Sequence, residues 1–339
     1  MTDLAASRGA GLILALVLSI AGRQLAAAED LAIPALPDAT DDGYPRTEVT
    51  FTNGVVGTPA ITYAQPLHYR ALTLDLYQPG KVPDDKPLPL IVYVHGGAWV
   101  TGTPRGKTVL GSWPAVLAAL AARGYVVAAV TYRLDGEAHF PAAIQDVKAA
   151  VKFLRAHADR YGIDPKRAAI WGPSAGGQLS ALAAVSCGVA AFEPVPDKVS
   201  TPSTLQSDCV QGGVSWFGVH DFTTVPIPPG QTGPAPYLGC ASSCPHDTLA
   251  FASPVNYVDP SDPPMLLIHG LADTLVAVSQ TQEFEARLRA AHVPVQMILI
   301  PDVDHGFIGK TDAISTAAMQ QALAATFAFF DKLFGLRAR

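Results

Sequence analysis

The chain has 339 residues, of which 49% are hydrophobic and 15% are charged. This balance excludes intrinsic disorder and is typical of a folded globular enzyme. The formal net charge is −6, and Lys and Arg never form a run longer than a pair, so we expect no nucleic-acid partner.

In chain order, the first predicted element is an export signal over residues 1–28. Arg8 precedes an apolar stretch, Gly11–Ala21, which is too short to span a bilayer. Ala26–Ala28 then form a small-residue cleavage site. An uncleaved membrane anchor is the alternative. We expect a secreted or periplasmic protein, residues 29–339, without a stable membrane anchor after cleavage.

Eight strands are predicted after an N-terminal part that is rich in Pro and Asp. Two alternate polar with apolar residues, as antiparallel strands with one wet face do; they are Thr47–Thr52 and Ala71–Tyr77. Six are continuous apolar runs, as a parallel sheet buried on both faces requires. These six are Leu88–Val94, Tyr125–Thr131, Ala168–Trp171, Val210–Phe217, Met265–His269 and Val295–Ile300.

Helical patterns alternate with the strands, near residues 112–123, 142–159, 175–186, 277–291 and 312–334. This order predicts a single α/β domain with a mostly parallel central sheet and helices on both faces. The stretch Val225–Pro236 contains five prolines. Because proline continues neither a helix nor a strand, this stretch is predicted to form a surface loop.

The strongest chemical signal is Gly172-Pro173-Ser174-Ala175-Gly176, which lies between a predicted strand and a predicted helix. In this context Gly-x-Ser-x-Gly forms a sharp turn that exposes a nucleophilic serine. The free N–H groups of the following helix favour negative charge beside Ser174. A simple Gly/Ser connection between strand and helix is the alternative.

A second signal is His95-Gly96-Gly97-Ala98-Trp99, at the end of another predicted strand. The backbone N–H groups of Gly96 and Gly97, together with that of Ala175, are predicted to form an oxyanion hole. His95 is interpreted as stabilising the turn by a hydrogen bond rather than as a proton shuttle. Trp99 is a candidate for lining a substrate pocket, and packing against the sheet edge is the alternative.

A nucleophilic serine needs a base and a carboxylate that orients the base. In this topology the acid follows a strand after the serine, and the histidine comes last. Asp273 and His305 follow the last two predicted strands and are assigned as acid and base. Asp221 is the second candidate for the acid, and Asp304 is expected to face solvent. His269 is interpreted as a buried histidine of the core.

No organic cofactor is predicted. Residues 102–108 end in Gly-Lys-Thr, but three residues separate their glycines, whereas a phosphate-binding loop requires four. Pro104 also removes an N–H group that such a loop would use. A strand followed by Gly-x-Gly-x-x-Gly and a helix, as dinucleotide binding requires, is not found near the start of the fold.

The four cysteines agree with an exported protein, because disulfides persist outside the cytoplasm. Four cysteines allow three pairings, of which we favour Cys187 with Cys209 and Cys240 with Cys244. A metal site at Cys240, Cys244 and His246 is the alternative. The absence of a second ligand pair at similar spacing disfavours that alternative, so no metal is expected.

With these motifs, residues 71–335 resemble the α/β-hydrolase superfamily. Within it they are similar to His-Gly-Gly-type carboxylesterases related to hormone-sensitive lipase and to bacterial feruloyl-esterase-like and acetylxylan-esterase-like enzymes. The resemblance rests on Leu74–Pro79, His95–Trp99, Tyr132–Leu134, Tyr161–Pro165, Ser174, Asp273 and Asp304–Phe307. Pro173 and Ala98 replace an acidic residue and a glycine of the lipase-like branch, which places the chain nearer the feruloyl-esterase-like branch.

The resemblance implies a serine carboxylesterase with Ser174 as nucleophile, His305 as base, Asp273 as acid and no cofactor. Its expected partner is a small or polymer-linked ester with a short or aromatic acyl group. Two alternatives stay open at this point. The first is a serine exopeptidase of the prolyl-oligopeptidase type, which has the same order of triad residues. The second is a non-catalytic binding protein on the same fold, which would be expected to have lost a triad residue, whereas all three are present here.

Overall fold

The computed structural model describes residues 47–80, 86–194, 205–226 and 233–336. The predicted export signal, residues 1–28, lies outside these described residues. The main feature of the described part is a nine-stranded sheet. Its strands are β1 Val49–Thr50, β2 Val55–Ala64, β3 Leu72–Pro79, β4 Leu88–Val94, β5 Val126–Val130, β6 Ile163–Pro173, β7 Gly212–Trp216, β8 Met265–Gly270 and β9 Val295–Ile300. They lie side by side in the order β1-β2-β3-β5-β4-β6-β7-β8-β9.

Strands β4 to β9 pair in parallel, whereas β1, β2 and β3 pair antiparallel and β3 joins β5 antiparallel. The α-helices in the described part of the chain are α1 Trp113–Ala121, α2 Ala142–Ala156, α3 Ala158–Tyr161, α4 Ala175–Val185, α5 His246–Ala252, α6 Ser279–Ala290 and α7 Asp312–Phe334. Helices α2, α4 and α6 pack on one face of the sheet, and α1 and α7 pack on the other. This arrangement confirms the predicted fold class.

The apolar run of β4 shows why the central strands are hydrophobic throughout. Leu90, Val92 and Val94 contribute to the core beneath α2 and α4, while Ile91 and Tyr93 contribute to the core beneath α1 and α7. Successive side chains of a strand point to opposite faces, so a strand covered on both sides needs apolar residues at every position.

Helix α7 begins and ends at recognisable caps. The side chain of Thr311 accepts a hydrogen bond from Ile314 N, and Gly335 ends the helix in a left-handed conformation. By length and composition α7 is apolar enough to cross a membrane. One of its faces instead packs on the sheet through Ala318, Ala322 and Phe330, as the core helix of a globular protein does.

The first strands and one short helix differ from the sequence predictions. Only Val49–Thr50 of the predicted strand Thr47–Thr52 is extended, and the ten-residue strand β2 was not predicted. Gly57 and Pro59 interrupt its alternation, and its pairing with β3 shifts register between Thr58 and Ile61. The short helix α5 was also not predicted.

The proline-rich stretch only partly matches the predicted surface loop. Residues 227–232 lie outside the described part. Ala235, near the end of the stretch, is 2% exposed, and the adjoining Tyr237 is 1% exposed. This end of the stretch therefore packs into the protein rather than lying on its surface.

The structure pairs Cys187 with Cys209 and Cys240 with Cys244, which is the pairing that the sequence favours. The first disulfide connects the segment after α4 to the segment before β7. Because both sulfurs of the second pair are bonded to each other, neither Cys240 nor Cys244 presents a free thiolate to a metal ion.

Candidate active site

Ser174 stands at a strained turn between β6 and α4. Its backbone has φ 54° and ψ −121°, a conformation that residues other than glycine rarely adopt. Its N–H donates to the carbonyl of Trp216 at 2.8 Å, and its own carbonyl accepts from Gln178 N at 2.9 Å. The turn is thus attached to the end of β7 and to the first turn of α4.

Two glycines allow the turn to approach the neighbouring strand. A Cβ atom on Gly176 would lie 2.1 Å from the carbonyl oxygen of Val94, and one on Gly172 would lie 2.5 Å from the same oxygen. Real Cβ atoms do not come this close to backbone oxygens. Small residues on both sides of Ser174, as the sequence predicts, are therefore a steric requirement.

The structure brings Ser174, His305 and Asp273 together, although they come from three separate segments. The Oγ atom of Ser174 lies 3.0 Å from Nε2 of His305, and Nδ1 of His305 lies 2.9 Å from Oδ2 of Asp273. Such distances are those of hydrogen bonds. The loops after β8 and β9 supply Asp273 and His305 at the same edge of the sheet as Ser174, because these strands are parallel.

Asp273 is held as a carboxylate. Its side chain is fully buried, and burial alone would raise its pKa. Hydrogen bonds from His269 and His305, together with the backbone N–H of Val276, outweigh burial and hold the pKa of Asp273 well below its usual range. A carboxylate that stays ionised near neutral pH can orient the His305 ring and stabilise it when it becomes protonated.

Asp221, the second candidate for the acid, and Asp304, which adjoins His305, both accept hydrogen bonds from backbone N–H groups. Asp221 caps a 3₁₀ turn, Phe222–Thr224, where its Oδ1 accepts from Thr223 N at 2.8 Å. Asp304 does not contact the His305 ring. Its Oδ1 accepts from Thr274 N and from His305 N, both at 2.7 Å. Asp304 therefore links the two loops that carry Asp273 and His305, and the prediction that it merely faces solvent was incomplete.

The turn after β4 packs directly against Ser174. A Cβ on Gly96 would lie 2.9 Å from Pro173 O and 3.4 Å from the Cβ of Ser174, so only glycine permits this contact. Within the described part of the chain, no hydrogen bond uses the N–H of Gly96 or of Gly97 as its donor. Ala175 is the first residue of α4, where backbone N–H groups have no partner inside the helix.

His95 is placed where it can stabilise this turn. Its Nδ1 lies 2.8 Å from the carbonyl oxygen of Gly96, and its ring stacks on Tyr132 with centroids 4.4 Å apart. The Tyr132 hydroxyl donates to His95 O at 3.0 Å. Burial lowers the pKa of His95 to about 4, so the ring is neutral at pH 7. These contacts agree with the structural role predicted for His95.

A cleft of about 820 Å³ opens at Ser174 and His305. It extends from the Gly96 turn to Tyr93, Trp113 and Trp216, and the exposed side chains of Val100, Val109, Leu275 and Ile308 also line it. The cleft is therefore largely apolar, and Ser174 and His305 are among the residues that line it. Burial of apolar substrate groups in this cleft would lower the free energy, because these groups leave water.

Trp99 does not line this cleft, and the structure corrects its assignment to a substrate pocket. The side chain is 6% exposed and stacks on Tyr237 with centroids 4.5 Å apart. Its Nε1 donates to Oε1 of Gln178 at 3.0 Å. Trp99 therefore has a packing role, as the alternative proposed, but it packs on Tyr237, Phe222 and α4 rather than on the sheet edge.

Two contacts of the site were not predicted. The Phe217 ring meets the His305 ring edge to face at 4.7 Å, and no feature of the sequence indicated this. His269 lies 3.1 Å from Oδ2 of Asp273. The spacing His269-Gly-Leu-Ala-Asp273 could have indicated that contact, since both residues flank one tight turn at the end of β8.

A serine on a strained turn after a central parallel strand, with an aspartate and a histidine after later strands, defines the α/β-hydrolase fold. The BD-FAE family model matches residues 74–288. The chain belongs to this family, and the resemblance inferred from the sequence motifs is confirmed.

Similar proteins include esterases of Mycobacterium tuberculosis. The probable carboxylic ester hydrolase LipM is 32% identical over 76% of this chain and 59% of its own length. Esterase LipC is 32% identical over 75% of this chain and 61% of its own length. The chain thus spans about three fifths of the length of these relatives.

Among solved structures, a truncated carbohydrate esterase from gut microbiota is similar. It has a TM-score of 0.68 and 27% identity over 82% of this chain and 95% of its own. The native structure of esterase 2 from Thermogutta terrifontis has a TM-score of 0.66 at 22% identity, covering 83% of this chain and 94% of its own. The second comparison supports the fold alone.

Proposed function

We propose that the chain is a serine carboxylesterase that hydrolyses short-chain or aromatic carboxylic esters through an acyl-enzyme on Ser174. The observation that carries this proposal is the unbroken series of hydrogen bonds from Ser174 Oγ through the His305 ring to the buried carboxylate of Asp273. Membership of the BD-FAE family and similarity to named esterases support it.

In the proposed mechanism His305 Nε2 removes the proton of Ser174 as Oγ attacks the ester carbonyl. Asp273 orients the imidazole and stabilises its protonated form. The N–H groups of Gly96, Gly97 and Ala175 stabilise the negative oxygen of the tetrahedral intermediate. His305 then gives its proton to the leaving alcohol, and a water molecule activated by the same histidine releases the acid.

The open, apolar cleft favours esters with short acyl chains or aromatic groups. A lipase-like lid is not predicted, because the sequence contains no apolar insertion between the core strands. We therefore expect acetate and butyrate esters to react faster than long-chain triglycerides. The partly exposed ring of Trp113, which lines the cleft, is the aromatic contact expected for a phenyl ring of such an ester.

We also propose that residues 1–28 direct export. The two disulfides support this location, since disulfides persist outside the reducing cytoplasm. Closing the loop from Cys187 to Cys209 should add about 3 kcal/mol to the free energy of unfolding. Thiol titration of the denatured, unreduced protein should detect no free thiol, and two or more free thiols would contradict both the pairing and the export.

The test of the activity is a substrate panel. It contains p-nitrophenyl esters of increasing chain length, methyl ferulate, acetylated xylan and peptide anilides. The proposal predicts ester hydrolysis that disappears in Ser174→Ala. It also predicts that hydrolysis persists in Ser180→Ala, which removes another buried serine of α4. Hydrolysis of the anilides but not of the esters would favour a peptidase, and no hydrolysis at all would favour a binding protein.

A further inference from the structure

His269 lies beside the proposed triad, at the end of β8. Its side chain is fully buried, and Nε2 faces two oxygen atoms, Asp273 Oδ2 at 3.1 Å and Val276 O at 2.9 Å. A carboxylate and a carbonyl are acceptors only, so Nε2 of His269 must carry a hydrogen. His269 therefore shares this one hydrogen between Val276 O, the nearer acceptor, and the same oxygen of Asp273 that His305 contacts.

The ring of His269 is fixed from its other side as well. Its Nδ1 lies 2.7 Å from the hydroxyl of Thr281 on α6. Two backbone N–H groups complete the arrangement: those of Leu275 and Val276 donate to Oδ1 of Asp273 at 2.9 Å and 2.8 Å, while the Val276 carbonyl accepts from His269. Asp273, Val276 and His269 thus form a closed set of hydrogen bonds, and the carboxylate cannot rotate without breaking at least one of them.

We infer that His269 is a positioning residue for catalysis, which directs Oδ2 of Asp273 toward His305 and shares the negative charge on that oxygen. The inference rests on the proposed function. Without His269, Oδ2 would have His305 as its remaining side-chain donor. The carboxylate would then be less well oriented, yet it would attract the protonated imidazole more strongly.

These two effects predict a distinct change in kinetics. Poorer orientation should lower kcat while KM changes little, because His269 contacts no substrate. Stronger attraction of the protonated imidazole should move the acidic limb of the kcat/KM profile to higher pH, because that limb reports protonation of the free enzyme. A role in packing alone would lower stability without moving the limb.

The experiment compares His269→Leu, His269→Gln and Thr281→Val on p-nitrophenyl acetate. His269→Leu should lower kcat by about 10- to 100-fold, the range seen when a positioned reacting group is misaligned or loses an outer-shell partner. His269→Gln should recover most of that loss, because its amide nitrogen can replace Nε2 as donor. Thr281→Val is the comparison: it removes the hydroxyl that fixes Nδ1 but keeps the Nε2 donor to Asp273, so it should lower kcat less and move the acidic limb less than His269→Leu does.

Thermal unfolding of each variant shows whether it is folded. If His269→Leu does not fold, His269→Asn replaces it, because the shorter amide cannot reach Asp273. A folded variant without the donor that retains wild-type kcat and an unmoved acidic limb would overturn the inference. Equal losses in His269→Leu and Thr281→Val would do the same. A wild-type protein inactive on every ester would instead overturn the proposed function.

Discussion

The turn that carries Ser174 and the loops that carry Asp273 and His305 are held by different interactions. The turn is held by backbone contact: Gly176 and Gly96 lie so close to neighbouring carbonyl groups that no side chain fits between them. The loops are held by polar side chains, since Asp304 binds the N–H groups of both loops and Asp273 binds four nitrogen donors.

Because of this difference, mutations in the two regions should affect different properties of the protein. The turn packs tightly against the sheet, so a larger side chain there should destabilise the whole fold. Hydrogen bonds in the loops orient only the side chains of Asp273 and His305. Their loss should reduce activity in proportion to the misorientation of Asp273 or His305, while the sheet remains intact.

The largest predicted effect is on activity, in the loops. Asp273→Asn should lower kcat by roughly 10³- to 10⁴-fold with the fold retained, because the amide supports the wrong orientation and tautomer of His305. The matched control is Asp221→Asn, whose amide oxygen can still accept from Thr223. Measured kcat should change little in this control. A greater loss in Asp221→Asn than in Asp273→Asn would overturn the assignment of the acid.

The next effect is on stability, in the turn. Gly176→Ala should lower the free energy of unfolding by about 3 kcal/mol or more, because its Cβ would lie 2.1 Å from Val94 O. Gly136→Ala is the control, since a Cβ there meets nothing within 4 Å. Urea unfolding measures both. A Gly176→Ala protein as stable as Gly136→Ala would show that backbone contact does not hold the turn.

A smaller effect concerns pH and His95. Burial lowers the pKa of His95 to about 4 in the folded protein, whereas an unfolded histidine has a pKa of about 6.5. The unfolded state therefore binds more protons between these values, and the stability that depends on a neutral His95 is lost as pH falls below about 6.5. At pH 5 this loss should be about 2 kcal/mol.

The measurement is the difference in free energy of unfolding between the wild type and His95→Asn, at pH 7 and at pH 5. The asparagine keeps a donor toward Gly96 O and removes the titration. The difference cancels other titrating groups, including Asp262, whose pKa burial raises to about 7. The free energy of unfolding of the wild type, relative to that of His95→Asn, should be about 2 kcal/mol lower at pH 5 than at pH 7. A difference that is the same at both pH values would contradict this prediction.

The smallest effect tests the link between the two loops. Asp304→Asn should lower kcat/KM on p-nitrophenyl acetate about tenfold, because an amide that accepts from both N–H groups does so more weakly than a carboxylate. Asp302→Asn changes an exposed acid of the same loop and should have no comparable effect. Equal activity of the two variants would show that Asp304 does not position the loops.

The fold was largely predictable because strand and helix periodicity is local. The five longer helices and most of the parallel strands were found near their true bounds, whereas β6 begins at Ile163, five residues before the predicted start at Ala168, because mostly polar residues, 164–167, interrupt its apolar run. Strand β2 was missed because Gly57 and Pro59 break its alternation. Its extended form depends on pairing with β3, which is a contact between distant parts of the chain.

The candidate site was predictable where a motif and chain order coincide, as at Ser174, Asp273 and His305. Contacts between side chains of different segments were not predictable. The link from Asp304 to Thr274 and the packing of Trp99 on Tyr237 join residues that are 30 or more positions apart. Single-sequence patterns carry no information about such pairs.

The central claim is that His305 and Asp273 activate Ser174 as a nucleophile. Labelling with a fluorophosphonate probe, followed by peptide mass spectrometry, tests it most directly. We expect one adduct per chain on Ser174 in the wild type, much slower labelling in His305→Ala, and no adduct in Ser174→Ala. Labelling at another residue, or ester hydrolysis that survives in Ser174→Ala, would contradict it.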